Sequence, residues 1–241
     1  MKNVELVLFI LIAELKGLFR DRMYTFFAIY PFIFGTIGYF ITDMLRDDGN
    51  IMAANIVAMM LIVVTGYVFG ALIAFTLLDD KDDKVLMSLK ITPVDVKHYV
   101  YVKMLVGGIF GFITTFALLL ATNFLPDASV WLMLAVSILG AIQVPSVVLI
   151  VNSFSDNKVE GFVIMKLSGM VILFPLMGFF VTGGMQYLLG VAPGYWAGRI
   201  VELELVPSEE GSAFLVFLAG VAYNLLATWL LMKLYAKRSN L

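Results

Sequence analysis

Residues 51–78 read IMAANIVAMMLIVVTGYVFGALIAFTLL and contain no charged side chain. A transmembrane helix needs about 20 consecutive, mostly apolar residues to cross the hydrocarbon core of a bilayer. This run is longer than that, so a helix over 51–78 is expected to tilt or to project beyond the bilayer. An uninterrupted apolar segment of this length predicts an integral membrane protein.

The composition of the whole chain points the same way. Hydrophobic residues make up 61% of the 241 residues and charged residues 14%, whereas soluble domains average about 45–50% apolar and about 25% charged residues. A soluble domain of this size lacks the volume to bury so much apolar surface, so lipid is expected to cover the rest. The chain has no cysteine and one histidine, His98, which excludes disulfides and argues against a zinc site.

Apolar runs divide the chain into a single transmembrane domain of the all-α class. The sequence predicts six transmembrane helices, at roughly 23–42, 51–78, 104–125, 130–151, 167–181 and 213–234. Residues 167–200 hold too many apolar residues for one span and too few for two, and glycines and prolines punctuate them. We therefore predict one span there, followed by an outer hairpin and loop, 182–212, which re-enters the membrane and has a polar part from Glu202 to Ser212.

Residues 1–22 form a different kind of segment. The apolar run 6–13 is too short to span, and Glu5 and Glu14 flank it. At about 100° per residue, its apolar and charged side chains fall largely on opposite faces, which is typical of a helix lying in the membrane interface. A secretory signal peptide is the alternative, but acidic residues interrupt the run and no small-residue cleavage site follows.

The distribution of lysine and arginine predicts the orientation. With these spans, 14 of the 16 basic residues fall on one side of the membrane, and only Arg46 and Arg199 fall on the other. Loops on the cytoplasmic side carry the excess of basic residues. Both termini and the loops 79–103 and 152–166 are therefore expected in the cytoplasm. The protein itself is expected in the plasma membrane.

The chemistry missing from the predicted spans argues against several function classes. No predicted span has an ionisable residue near its middle, where an ion-coupled secondary transporter generally needs one. No histidine or acid at membrane depth is available to activate a serine or threonine, so an intramembrane enzyme is not expected. A G-x-x-x-x-G-K-[ST] phosphate-binding loop is absent too, so any ATP must be hydrolysed by a partner.

Six polar side chains within the predicted spans are candidates for a substrate path: Tyr67, Thr114, Thr115, Asn123, Gln143 and Asn224. Each has two interpretations, a contact on a substrate path or an interhelical hydrogen bond. Gln143 also lies two residues before Pro145, and a proline inside a span frees a carbonyl that a neighbouring group must satisfy.

The most polar stretch of the chain, residues 79–103, joins the second and third spans. It begins with an acidic cluster, Asp79 to Asp83, in which lysines are interleaved, and residues 85–89 then offer a small apolar face at helical spacing. A short helix of this kind can dock in a groove on a partner. The alternative is a solvated connection that only satisfies the distribution of positive charge.

A second helix is predicted to start within the same loop. Thr92 is suited to be its N-cap, Pro93 to its first turn, and Asp95 to the acidic position of a capping box. This helix is expected to run through Lys97 and Lys103 into the third span.

These features resemble the ABC type-2 exporter permeases. Members of that family have an interfacial N-terminal helix, a long second span, and a first cytoplasmic loop with an acidic start and a Leu-x-x-Thr-Pro signature. Leu89-Lys-Ile-Thr92-Pro93 matches the signature, and Asp80 to Lys84 takes the place of a Glu-Arg-Glu-type cluster, with aspartates instead of glutamates. Val191-Ala-Pro193-Gly-Tyr-Trp196 resembles the family's Leu-Pro-x-x-Tyr/Trp element near re-entrant half-helices.

The resemblance implies a transport subunit and not an enzyme. Cytoplasmic ABC ATPase subunits, which bind ATP and magnesium, would dock on the 79–103 loop, and a second permease copy or homologue would complete the path. No cofactor is then expected in this chain, and no nucleic acid partner. The residues expected to couple to the ATPase are Asp80, Asp82, Asp83, Lys84, Thr92, Pro93, Asn157, Lys158 and Glu160.

The cargo is expected to be amphipathic or hydrophobic, such as a drug, a lipid or a peptide, because few polar groups are available along a path. Two other functions stay open: an ion-coupled secondary transporter and a membrane scaffold subunit without transport.

Overall fold

The computed structural model describes residues 8, 11–13, 16–17, 20, 22–89, 91, 95–181, 183–206 and 211–239. Within these residues the chain is helical and has no β-strand, which confirms the predicted all-α class. In chain order the α-helices are α1 Arg22–Asp47, α2 Ile51–Asp82, α3 Val85–Leu89, α4 Val96–Ala121, α5 Val130–Ile142, α6 Val144–Ser153, α7 Lys158–Gly169, α8 Leu173–Met177, α9 Tyr195–Leu205 and α10 Ala213–Arg238. Two 3₁₀ segments, Met170–Ile172 and Gly183–Val191, lie on either side of α8.

Five helical segments among the described residues are long and apolar enough to cross a membrane. They are Ile51–Asp82, Val96–Ala121, Val130–Ser153, Lys158–Met177 and Ala213–Arg238. The prediction of a multi-pass membrane protein is therefore confirmed. Helix α1 is a further long helix of 26 residues, with Pro31 inside it.

The fourth predicted span, 130–151, is divided into two α-helices. Helix α5 ends at Ile142 and α6 begins at Val144, so the two meet at Gln143. Pro145 lies in the first turn of α6, where its missing N–H removes a hydrogen bond that a continuous helix would make.

The fifth segment begins earlier than predicted, so the predicted polar loop 152–166 is wrong over most of its length. Helix α7 starts at Lys158 because Asn157 caps it, its side-chain oxygen accepting a hydrogen bond from Glu160 N at 3.0 Å. The Glu160 carboxylate in turn accepts one from the backbone N–H of Asp156 at 2.8 Å. This reciprocal arrangement is close to a capping box, and the spacing Asn-x-x-Glu was its signal in the sequence.

The start of the third span also differs from the prediction. Helix α4 begins at Val96, and its N-cap is Asp95, whose carboxylate accepts a hydrogen bond from Lys97 N at 2.8 Å. The assignment of Thr92 as this helix's N-cap is therefore wrong. Thr92 and Pro93 themselves lie outside the described residues, and so does most of the predicted interfacial helix over 1–22.

Helix α2 lies at the centre of the structure, with 67% of its most apolar stretch buried. Glycines let its neighbours approach closely: a Cβ atom on Gly66 would lie 2.5 Å from the backbone oxygen of Gly140 in α5. Small residues at such contacts are the usual means of packing helices inside a membrane. By contrast, only 11% of the corresponding stretch of Lys158–Met177 and 17% of that of α10 are buried, so lipid or another chain must cover them.

The two ends of the helices carry different connections. At one end, called the basic end here, the turn after α2, the start of α7 and the end of α10 meet: Lys81 donates hydrogen bonds to Asn152 O and Ser155 O at 2.8 and 3.0 Å, and Arg238 donates one to Ser153 O at 3.1 Å. At the opposite end, Arg46 donates to the carbonyl groups that follow α4. The lysine-rich connections are thus gathered on one side.

Candidate functional site

At the basic end, Asp80 fixes α2 to α4. Its carboxylate lies 2.5 Å from Lys103 Nζ and accepts a hydrogen bond from the Tyr99 hydroxyl at 2.9 Å. The Lys103 side chain is only 2% exposed and also donates to Thr76 O at 3.3 Å. A buried ammonium group is tolerated only when it is paired and hydrogen-bonded, as this one is. The Asp80 side chain therefore points into the protein.

The neighbouring acids tie α2 to α7. Asp79 lies 2.5 Å from Lys158 Nζ, with about a third of each side chain exposed, and the Lys158 backbone N–H donates to Asp82 at 3.3 Å. Lys158, which was predicted to couple to the ATPase together with Asn157 and Glu160, thus lies against the acidic cluster in the structure. Asn157 and Glu160 lie beside it but are engaged in capping α7.

The short helix α3 follows directly after this junction of α2, α4 and α7. Leu86 is buried in the core shared by α2, α4 and α6, whereas Met87 is 68% exposed and Ile91 is 90% exposed. Asp83 and Lys84 form an exposed turn before it, and Lys84 adopts the left-handed conformation, with φ of 58°. The outer side of α3 therefore combines exposed apolar side chains with a charged turn, which is typical of a surface that another protein covers.

Two of the predicted path residues, Tyr67 and Gln143, line the same small cavity in the middle of the helices. Its volume is about 40 Å³, enough for a few waters and too small for a drug or a lipid. The Tyr67 hydroxyl donates to Met165 O at 2.8 Å and lies 2.9 Å from Ser168 Oγ, while Gln143 Nε2 lies 3.5 Å from Val63 O. Both side chains bond to neighbouring helices, and a substrate contact stays a prediction.

The other predicted path residues lie elsewhere. Thr114 and Thr115 are buried in α4, and the Thr115 hydroxyl has no hydrogen-bond partner among the described residues. Asn224 is fully buried and donates to Gly220 O at 2.9 Å and to Pro193 O at 3.3 Å, which holds α10 to the segment before α9. Asn123 was placed wrongly inside a span: α4 ends at Ala121, and Asn123 is exposed in the turn that follows.

A buried ion pair in the outer segment was missed by the sequence reasoning, which assigned Glu202 to a polar loop. Glu202 is in α9 and 1% exposed, and its carboxylate lies 2.9 Å from Arg199. Gln186 donates to Glu202 at 2.8 Å and to Gly178 O at 3.1 Å. This network joins α9, the 3₁₀ segment Gly183–Val191 and the end of α8. Its signal was the spacing of Arg199 and Glu202, three residues apart on one helix.

Metal binding finds no support in the described part of the chain, where no group of three histidine, aspartate or glutamate side chains could hold an ion. At the basic end, Asp79, Asp80 and Asp82 instead connect α2 to α4 and α7, and α3 projects from this junction.

Comparisons with known proteins agree with a transport function. Two curated relatives are each 24% identical to this chain over 229 residues, which cover 91% of this chain and 90% of the relative. They are the fluoroquinolones export permease protein MT2760 of Mycobacterium tuberculosis strain CDC 1551 / Oshkosh and the fluoroquinolones export permease protein Rv2686c of strain ATCC 25618 / H37Rv. No solved structure matches the chain.

The family comparison covers most of the sequence. Residues 14–232 match the family described as fluoroquinolones export permease protein Rv2686c-like. This match includes every helix from α1 to α9 and most of α10, and it is consistent with the resemblance to ABC type-2 exporter permeases. The chain therefore belongs to the Rv2686c-like family of fluoroquinolones export permease proteins.

Proposed function

We propose that this chain is the permease subunit of an ATP-driven ABC type-2 exporter, with the ATP hydrolysed by a separate cytoplasmic subunit. The observation that carries the proposal is the construction of the basic end. A loop that only connects two spans in water has no need to be fixed to three helices or to expose apolar side chains. Helix α3 follows ion pairs that join α2, α4 and α7, and it exposes Met87. A rigid base with an exposed apolar tip is what a partner needs in order to move the spans.

The predicted coupling residues then divide into two groups. Asp83 and Lys84 are exposed beside Met87 and would contact the ATPase. Asp80, Asp82 and Lys158 are engaged within the chain, so they would pass a displacement of α3 on to α4 and α7. Thr92 and Pro93 keep their predicted part in docking.

The first test is docking. Met87→Asp places a charge in the proposed contact and is expected to abolish co-purification of an ATPase subunit and ATP-dependent transport. Met44→Asp is the matched control, because Met44 is 58% exposed, against 68% for Met87, and lies in α1 beyond the predicted first span, at the opposite end of the helices. If Met87→Asp retains the ATPase as well as Met44→Asp does, α3 is not the docking element.

The same experiment separates the exporter from the other functions. If no ATPase accompanies the unaltered chain from native membranes, an ion-coupled transporter or a scaffold becomes the better proposal. An ATPase that is lost only from the Met87 variant would support the exporter.

The topology we propose has six spans, with α1 as the first, the segment 182–212 re-entering from outside, and both termini in the cytoplasm of a cell bounded by this membrane. The gathering of lysine-rich connections at one end supports it. Because the chain has no native cysteine, Asp48→Cys and Asp127→Cys are expected to react with an impermeant maleimide from outside, and Lys84→Cys only after permeabilisation. Labelling of Lys84→Cys in intact cells would contradict this orientation.

The path itself is proposed to form between this chain and a second permease copy or homologue. The largely unburied face of Lys158–Met177 supports such a pairing, since a partner would cover it. We propose that the cargo is an amphipathic aromatic compound of the fluoroquinolone class, which the relatives' names specify. ATP-dependent accumulation of a fluorescent fluoroquinolone in inverted vesicles tests this, and ATP hydrolysis without accumulation would indicate another cargo.

A further inference from the structure

A second feature of the basic end is a cavity that shares Lys84 and Met87 with the proposed docking surface. A cavity of about 530 Å³ lies between the ends of α2, α6 and α10, with α3 as one wall. Pockets for small molecules in proteins have volumes of about 300–1,000 Å³, so this one has the capacity for a small ligand.

The charges around the cavity favour an anion. Lys81, Lys84 and Arg238 line it, against one acid, the exposed Asp156. Among the described residues, Arg238 donates one hydrogen bond, to Ser153 O, although a guanidinium has five N–H donors. Lys84 has no ion-pair partner there either. Basic pockets between transmembrane helices on the cytoplasmic side are known to take phosphate-bearing headgroups.

A buried hydroxyl group also points to a ligand. Ser153, the last residue of α6, lines the cavity and is only 5% exposed. Its Oγ atom has no hydrogen-bond partner among the described residues. An unsatisfied buried hydroxyl is costly, and an oxygen of a ligand in the cavity would accept a hydrogen bond from it. The ring of Phe154, with the Arg238 guanidinium 4.5 Å from its centroid, gives the cavity an apolar wall.

The depth of the cavity identifies the source of the anion. Ser153 lies two residues beyond Val151, where the predicted span 130–151 ends, and Lys81 donates hydrogen bonds to Asn152 O and Ser155 O on either side of it. At 1.5 Å per residue that span is about 33 Å long and matches the hydrocarbon core, so these groups are roughly 3 Å outside the core. The headgroup layer extends about 5–7 Å beyond that core on each side. The cavity is therefore level with lipid headgroups.

We propose that this cavity binds the phosphate headgroup of an anionic phospholipid from the leaflet at the basic end. Arg238 and Lys81 neutralise the phosphate, the Ser153 hydroxyl donates a hydrogen bond to it, and Phe154 contacts the start of the acyl region. The site rests on membrane insertion and not on the cargo, and a docked ATPase would cover the side of the cavity that Lys84 and Met87 form.

The test uses the full-length chain in lipid nanodiscs of phosphatidylcholine with increasing fractions of phosphatidylglycerol. The melting midpoint is followed, and the fraction of phosphatidylglycerol that gives half of the total shift is compared between variants. Arg238→Gln is expected to raise that fraction at least about tenfold, because it removes a direct hydrogen bond between charged groups, whereas loss of a basic group that is merely near an anionic surface raises it about fivefold. Lys237→Gln is the matched control, because Lys237 is an exposed neighbour that does not line the cavity.

A second variant guards against a change in stability alone. Ser153→Ala is expected to weaken the response to phosphatidylglycerol, while its midpoint in pure phosphatidylcholine stays at or above that of the unaltered chain, because the buried hydroxyl has no partner there. Three results would overturn the proposal: no shift with phosphatidylglycerol in the unaltered chain, equal effects of Arg238→Gln and Lys237→Gln, or an equal shift produced by inorganic phosphate alone.

Discussion

Removal of the Asp80 carboxylate is the sharpest test of how the basic end is held together. In Asp80→Ala, the Lys103 ammonium loses the partner that lies 2.5 Å away, although its side chain stays 2% exposed. The Tyr99 hydroxyl loses its acceptor as well. The variant therefore leaves a buried charge and a hydroxyl group without the carboxylate that satisfied them.

The magnitude follows from the geometry. At 2.5 Å and an effective dielectric constant of about 20, the Coulomb attraction between the two charges is about 7 kcal/mol. Desolvation of both groups offsets part of this, and breaking a buried pair from one side typically costs about 3–5 kcal/mol. For a chain of this length, such a loss lowers the melting midpoint by roughly 10 °C.

The assay compares melting midpoints of purified variants in one detergent. Asp79→Ala is the control, since the Asp79–Lys158 pair has the same 2.5 Å separation but its side chains are about a third exposed. Such a solvated pair is worth about 0–1 kcal/mol. Asp80→Asn combined with Lys103→Met removes both charges, keeps an acceptor for Tyr99, and is expected to recover most of the loss. Equal, small effects of Asp79→Ala and Asp80→Ala would refute the reasoning, as would a double variant no better than Asp80→Ala.

Two further variants test the interior and the outer segment. Gly66→Ala is expected to destabilise the protein by about 1–3 kcal/mol, because its Cβ would lie 2.5 Å from a backbone oxygen of α5; Gly111→Ala, whose Cβ would meet only atoms at 3.5 Å or more, should melt like the unaltered chain. Arg199→Met leaves Glu202 buried without its cation and is expected to cost about 3–5 kcal/mol, while Arg199→Met with Glu202→Gln should recover much of the melting midpoint.

The sequence predicted the elements that depend on local composition. Apolar length alone identified the long helix over 51–78 and the other membrane segments, because the bilayer sets the number of residues a span needs. The short helix after the acidic cluster was also predicted, since apolar residues at 85, 86 and 89 fall on one helical face. The structure buries Leu86 of that face in the core and packs Leu89 against the same core.

Contacts between distant residues were not predictable in the same way. Asp80 and Lys103 are 23 positions apart, and no spacing rule says that one acid of a dense cluster turns inward while Asp83 remains exposed. Packing of α4 against α2 decides this. The sequence suggested that the whole cluster faces a partner, whereas most of its carboxylates are engaged within the chain.

The outer segment was the least predictable part of the chain, because Arg199 and Glu202 carry contradictory local signals. Arg199 and Glu202 suggest a solvated loop when each is considered alone, and a helix with an internal ion pair when they are considered together. A hydropathy scale counts each charged residue as unfavourable for burial. It takes no account of the ion pair, which offsets part of the desolvation cost of the two charges. The apolar residues between and around them, such as Ile200 and Val201, are fully buried, and their burial fixes α9 inside the protein.

These contacts make α2 the structural link between the two ends. Near its last turn, Asp79 and Asp80 hold α7 and α4, so a force on α3 acts on the three helices together. Near its middle, Gly66 packs against the break between α5 and α6 at Gln143, and a Cβ atom on Gly194 of the outer segment would lie 2.7 Å from Gln143 Oε1. Close-packed interiors transmit strain because they have few voids to absorb it. A displacement of α2 at the basic end must therefore move Gln143 against the outer segment, unless the base of α3 is loosened first, which is the change that Asp80→Ala makes.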